Sequence, residues 1–204
     1  MEILQGRRAL PLDAPGIAER LARSARVLVD LGCGDGRFVQ HCATSDAALI
    51  AVGVDACREQ LRAAARRPPP NALFVIAGAE ALPPELDGAA TMLTVNFPWG
   101  SLLGGLLAGN TVVGGLARLT RPGAQVEIRL NAGALVEAGF GLEDGVERVR
   151  QVLGGAGFAA RQPAWWGPAQ LRAFPTTWAR RLAFGRDPRA AELRAVRAAA
   201  ARAA

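Results

Sequence analysis

The chain has 204 residues, half of them apolar, enough for one domain with an ordinary core and too few for several. No apolar run nears the roughly 20 residues of a membrane span, and Met1-Glu2-Ile3-Leu4-Gln5 lacks the basic start and apolar core of a signal peptide. A cytoplasmic protein without membrane contact is expected. All 24 basic residues are Arg, and the net charge of +6 sits at one end: nine Arg stand against Asp187 and Glu192 from Arg161 onward, while residues 1–160 are near neutral. Such an end suits nucleic acid, because guanidinium bonds phosphate bidentately and stacks on bases, and it equally fits solvated helix faces.

Cys33, Cys42 and Cys57 are odd in number and lack paired metal spacing, so reduced thiols and no metal site are expected. Met1 to Leu12 alternates short apolar pairs around Gly6-Arg7-Arg8 and predicts a small hairpin. Asp13 is placed to cap a helix over Ile17 to Arg23. The apolar run Val27-Leu28-Val29 then enters Asp30-Leu31-Gly32-Cys33-Gly34-Asp35-Gly36-Arg37, which reads as strand, tight turn and helix start. Glycines there permit positive φ and close approach of a ligand to the backbone, with the next helix's N–H groups facing it. Asp30, at the carboxyl end of the strand, adds an acceptor where open α/β sheets bind small molecules. A dinucleotide fingerprint is excluded, because the third glycine of Gly-x-Gly-x-x-Gly falls on Arg37. An acidic residue ahead of alternating glycines instead resembles motif I of class I S-adenosylmethionine-dependent methyltransferases.

A second strand, Leu49 to Asp55, ends in a carboxylate suited to both hydroxyls of a ribose. Helix Cys57 to Ala65, the break at Pro68-Pro69-Pro70 and strand Leu73 to Ala77 follow. Ala79 and Glu80, just beyond, could read an adenine edge. Strand Thr91 to Asn96 runs into Phe97-Pro98-Trp99-Gly100-Ser101, where Pro98 stiffens the turn and Trp99 offers an aromatic face at the cleft. One helix is predicted from Ser101 to Leu119, a strand over Gln125 to Leu130, a helix over Glu143 to Leu153 and a strand over Phe158 to Gln162. Trp165-Trp166-Gly167-Pro168 reads as a loop, and Thr176 to Phe184 as the last strand, antiparallel to its predecessor. The Arg/Ala-rich tail, residues 187–204, is helical by propensity. Strands alternating with helices imply an α/β fold: a seven-stranded, mostly parallel sheet with an antiparallel last strand, helices on both faces and an N-terminal hairpin over residues 1–12. His41, the only histidine, reads as an ordinary helix residue.

Asn96-Phe97-Pro98-Trp99 resembles the motif with which adenine and cytosine amino-methyltransferases hold a flipped base, although Phe97 stands where those enzymes usually carry a second proline. The longer string Asn96 to Leu103, with Thr176-Thr177-Trp178-Ala179-Arg180-Arg181-Leu182-Ala183-Phe184-Gly185-Arg186 and the opening Glu2 to Arg8, resembles the 16S ribosomal RNA adenine-1408 N1-methyltransferases, an aminoglycoside-resistance family. The resemblance spans essentially residues 2 to 186. It implies S-adenosylmethionine as cofactor, bound by Asp30, Gly32, Gly34, Asp55, Ala79, Glu80, Asn96, Ser101 and Thr176. It implies that Trp99 and Trp178 sandwich the flipped adenine. Arg62, Arg66, Arg67, Arg181 and Arg186 would hold phosphates of 16S rRNA in the 30S subunit, although the family is often Lys-rich in the first of these segments. A monomer is expected. A small-molecule or protein methyltransferase of the same fold is the alternative, and a non-catalytic relative that only binds cofactor or RNA a third.

Overall fold

The computed structural model describes residues 2–5, 8–11, 14–109 and 111–199. In chain order these form β1 (Glu2–Gln5), β2 (Arg8–Pro11), α1 (Ala14–Arg23), β3 (Val27–Leu31), α2 (Arg37–Ser45), β4 (Ile50–Asp55), α3 (Arg58–Ala65) and β5 (Ala72–Ile76). After a short 3-10 turn come β6 (Ala90–Asn96), α4 (Gly100–Ala108), α5 (Thr111–Leu119), β7 (Thr120–Asn131), α6 (Ala132–Glu137) and α7 (Leu142–Gly155). The chain closes with β8 (Phe158–Ala160), β9 (Ala164–Trp166), α8 (Pro168–Ala173), α9 (Thr177–Ala183) and β10 (Ala190–Arg197). The expected cap Asp13 lies outside the described residues, as do Gly6, Arg7 and 200–204 of the tail.

One sheet runs β2-β1-β5-β4-β3-β6-β7-β10-β8, with β9 paired to β10. Its five central strands, β5-β4-β3-β6-β7, are all parallel. Helices cover both faces, so β3 and β4 are apolar and buried almost without interruption, as a doubly covered parallel sheet requires. The tight start of α2 depends on Gly36: its φ is +70°, and a Cβ there would stand 2.6 Å from Ala64 Cβ and from the Phe74 ring. The expected seven-stranded sheet is recognisable as β5-β4-β3-β6-β7-β10-β8, extended at one edge by the N-terminal hairpin β1–β2 and flanked by β9.

Four expectations fail in the C-terminal half. Thr176 to Phe184 is a helix, α9, because the Thr176 hydroxyl accepts the Ala179 N–H at 2.9 Å and caps it. The antiparallel last strand is instead β10, in the tail read as helical. It is inserted between β7 and β8, pairing antiparallel with both, and buries Ala190, Ala191, Glu192, Leu193 and Ala195. Tertiary pairing overrides the helix preference of Ala and Arg there. Trp165 and Trp166 belong to a strand, β9, rather than a loop. The helix expected from Ser101 to Leu119 is two, α4 and α5, bent by 88° beyond Gly109, which ends α4 with φ +73°.

Truncation after Phe184 is therefore expected to unfold the protein, since it opens a gap in the sheet between β7 and β8. Circular dichroism and thermal melting of the shortened chain check this; a cooperative melt at the full-length temperature would contradict it.

Candidate active site

The carboxyl ends of β3, β4, β5 and β6 open on one cavity of about 660 Å³, within the range of small-molecule sites. The glycine loop after β3 forms one wall, the Asn96–Ser101 turn another, and the start of α9 the third. Asp30, Gly32, Gly34, Asp55, Ala79, Glu80, Asn96, Trp99, Ser101, Thr176 and Trp178 all line it. Arg181 reaches its rim, whereas Arg62, Arg66, Arg67 and Arg186 lie outside it, exposed to solvent.

Asp55 and Asp30 are held in place by protein hydrogen bonds. Asp55 Oδ2 accepts the Gly34 N–H at 2.8 Å and its Oδ1 accepts the Cys57 N–H at 2.8 Å, which holds the carboxylate at the tip of β4. Gly34 has φ +55°, and a Cβ there would meet no protein atom within 4 Å, so the space a side chain would fill belongs to the cavity. Asp30 is 1% exposed, and its Oδ1 accepts from Thr94 Oγ1 at 2.6 Å and from Asn96 Nδ2 at 2.8 Å. Burial dominates its chemistry: despite these bonds and the Arg129 charge, desolvation pushes its pKa up to about 7. Burial likewise pushes the Cys33 thiol up, so the sulfur in this cavity stays protonated.

The aromatic wall is more specialised. Trp99 and Trp178, 41% and 40% exposed, meet at the cavity mouth with ring centroids 5.9 Å apart and planes at 87°. They touch edge to face and are not yet parallel. Trp99 is carried by a strained turn, for Phe97 holds φ +53° with its N–H donating to the Arg129 carbonyl at 2.8 Å. The Phe97 ring is buried against Phe174 and Trp166, with centroids 5.8 and 6.4 Å away, and that packing holds the strained backbone in place. Trp178 is tied down from the other side, because the Thr177 hydroxyl donates to Asp35 Oδ2 at 2.7 Å and so joins α9 to the glycine loop.

Beneath the site lies a charge the sequence reading missed. Arg129 on β7 is 5% exposed, donates to Asn96 Oδ1 at 2.8 Å and to Glu192 Oε1 at 2.6 Å, and also pairs with Glu127. Asn96 is thereby engaged on both sides, by Asp30 and by Arg129, and acts as a bracket as much as a lining group. Asp35 and Thr177 were also missed; Asp35 stands inside the glycine motif, and Thr176-Thr177 ahead of an apolar run is a helix-cap signal that was available. Nothing in the sequence pairs Arg129 with Glu192, 63 positions away.

The cavity's chemistry fits an adenosyl cofactor: a paired-oxygen acceptor at Asp55, a buried acid at Asp30, and backbone N–H groups of a glycine loop. Among the described residues no group of His, Cys, Asp and Glu could hold a metal ion. The profile of the NpmA family, 16S rRNA (adenine(1408)-N(1))-methyltransferase, matches residues 2–197. A curated relative of that name from Streptoalloteichus hindustanus is 31% identical, over 92% of this chain and 94% of its own. A 16S rRNA (adenine(1408)-N(1))-methyltransferase variant from Catenulisporales acidiphilia, solved with its cosubstrate SAM, superimposes with a TM-score of 0.86 at 29% identity, covering all of both chains. The antibiotic-resistance methyltransferase Kmr gives 0.79 at 32% identity, over 98% of this chain and all of its own. With the glycine-loop cavity, the paired indoles and this end-to-end match together, the chain belongs to the 16S rRNA (adenine(1408)-N(1))-methyltransferase family.

Proposed function

We propose that the chain transfers a methyl group from S-adenosylmethionine to N1 of adenine-1408 in 16S rRNA of the 30S subunit, and thereby confers aminoglycoside resistance. The observation that carries this reading is the placement of two half-exposed indoles at the mouth of the glycine-loop cavity. Extruding a base costs a few kcal/mol of unstacking, and aromatic stacking at about 1–3 kcal/mol per base offsets it. A Trp face also favours the cationic ring that N1 methylation produces.

When bound, the cofactor supplies an electrophilic methyl group. Adenine N1 already holds an in-plane lone pair, so the residues need no general base; their work is alignment and exclusion of water. Asp55 takes the ribose hydroxyls, Asp30 and the glycine loop, with Gly32 and Gly34, the amino-acid end, and Ala79 with Glu80 the adenine edge of the cofactor. Ser101 and Thr176 close the cavity beside it, and Asn96 fixes Asp30. Trp99 and Trp178 hold the target base. Arg62, Arg66, Arg67, Arg181 and Arg186, all exposed, take rRNA phosphates. Arg62 gives up only a solvent-exposed pairing with Glu59 at 3.2 Å to do so. The chain is expected to act as a monomer built as one domain. Its place is the cytoplasm, with the 30S subunits; no single helix among the described residues is long and apolar enough to cross a membrane.

The deciding assay incubates the protein with tritiated S-adenosylmethionine and 30S subunits and maps the product by reverse transcription. A stop at adenine-1408 is expected, and cofactor binding without label in 30S would overturn the substrate. Trp99→Ala and Trp178→Ala should each lower transfer at least 100-fold while leaving cofactor affinity within about threefold by calorimetry. Asp55→Ala should do the reverse, weakening cofactor binding first.

Asp30 also makes a signed pH prediction. Its folded pKa lies above the unfolded value, so its proton stabilises the fold at low pH and that contribution is lost as pH rises from about 4 to about 7. Cofactor affinity should move the other way, tightening as Asp30 ionises around pH 7 beneath a cationic ligand. Asp30→Asn is expected to flatten both curves, read by urea titration and calorimetry at pH 5, 6, 7 and 8.

A further inference from the structure

Beside the cofactor cavity, and sharing Thr177 and Arg181 with it, is a second hollow of about 450 Å³ lined otherwise by Arg37, Arg180 and Phe184. Phe184 is 79% exposed, the most exposed large apolar side chain among the described residues. An aromatic ring so open to water contributes little to the fold, and its face is free to stack on a ligand. Its backbone is fixed all the same: the Phe184 N–H donates to the Arg181 carbonyl at 3.3 Å and the Gly185 N–H to the Leu182 carbonyl at 3.0 Å, ending α9. Arg37 is anchored through Asp35, 3.4 Å away, and Asp35 in turn accepts the Thr177 hydroxyl, so the walls of the hollow are tied to one another. The three guanidinium groups lining it are exposed, and no carboxylate lines it.

An aromatic platform ringed by guanidinium groups is the chemistry that takes an unpaired nucleotide, stacking its base and pairing its phosphate. We propose that this hollow is a second nucleotide subsite, seating an unpaired nucleotide that flanks the target adenine, with Phe184 stacked on its base and Arg37 and Arg180 on the adjoining phosphates. The subsite rests on the rRNA methyl-transfer reading and deepens it. Because Trp178 and Phe184 lie on the two ends of α9, one short helix engages the extruded base at its start and the neighbouring nucleotide at its finish. An acidic or apolar protein surface is the other class of partner that could cover Phe184; the contiguity of the hollow with the base-holding cavity favours the RNA.

The test measures steady-state methyl transfer to 30S subunits for the wild type and for Phe184→Ala, Phe184→Leu and Phe184→Tyr, with cofactor binding followed by calorimetry. Phe184→Ala and Phe184→Leu should each raise the KM for 30S about tenfold with cofactor affinity unchanged, and Phe184→Tyr should restore it, because stacking needs a ring and simple apolar contact does not. Arg37→Ala and Arg180→Ala should shallow the dependence of 30S affinity on salt by somewhat under one unit of log–log slope each, whereas Phe184→Ala should leave that slope alone. Wild-type kinetics in Phe184→Ala, or full activity in Phe184→Leu, would overturn the subsite while leaving the methyl-transfer reading standing. A wild-type protein that transfers nothing to 30S would bring down both.

Discussion

A guanidinium taken out of water costs several kcal/mol unless its charge and its donors are answered, and among the described residues Arg129 is the buried one that makes that demand. The answers come from two distant stretches, Glu192 of β10 and Asn96 at the tip of β6, and from Glu127 two residues away on its own strand. The Phe174 ring centroid stands 4.5 Å from its central carbon and that of Trp166 5.4 Å, so two aromatic faces flank the guanidinium, while its buried Nε finds no hydrogen-bond partner among the described residues. Removing the charge would leave Glu192, which is 3% exposed, with only its Arg194 pairing at 2.8 Å. The same set of contacts therefore holds β10 in the sheet, aims Asn96 at Asp30, and seats the segment that leads into α9. Fold and site share one electrostatic keystone.

Around it the site is assembled from pieces that are unfavourable one by one. Phe97 sits in a left-handed conformation that a bulky side chain rarely adopts, and Asp30 is buried where an acid prefers to keep its proton. Both are over-determined by neighbours: Phe97 by the cluster of Leu171, Ala179, Ala183 and Ala190, Asp30 by two hydrogen bonds from β6. Strain of this kind, of order 1–3 kcal/mol for each backbone outlier, is affordable only on a rigid frame. The parallel strands β3, β4 and β6 supply that frame, and the turn at their ends places Trp99 at the cavity mouth.

The amino-terminal half was legible because its signals are local. Apolar runs that end in Asp30, Asp55 and Asn96 name both the strands and the tips that line the cavity, and the glycines after Asp30 bend the loop beside it. The carboxyl-terminal half was not, because its outcome is set at long range. Ala190 to Arg197 has a helix former's composition and becomes a strand only because β7 and β8 leave a slot between them. Thr176 to Phe184 has the aromatic and threonine content of a strand, yet one hydroxyl capping one backbone N–H decides for helix. Trp178 was thus placed in the right cavity on the wrong element: the family resemblance located the side chain, and the periodicity misread the backbone that carries it. Arg129 was invisible for the same reason as β10, since its partners are defined by the sheet.

The perpendicular meeting of Trp99 and Trp178 has a consequence for selectivity. Two van der Waals contacts on opposite faces of a base need about 7 Å between indole planes, and the centroids stand 5.9 Å apart with one ring edge-on to the other. The proposed sandwich therefore requires one indole to swing through about a right angle. A free nucleoside brings only its own stacking to that task, while a folded RNA brings the attraction of an entire arginine face. With the base-holding role proposed for the pair, it would act as a latch opened by remote RNA contacts, and monomeric adenine compounds that share the reactive nitrogen would be disfavoured.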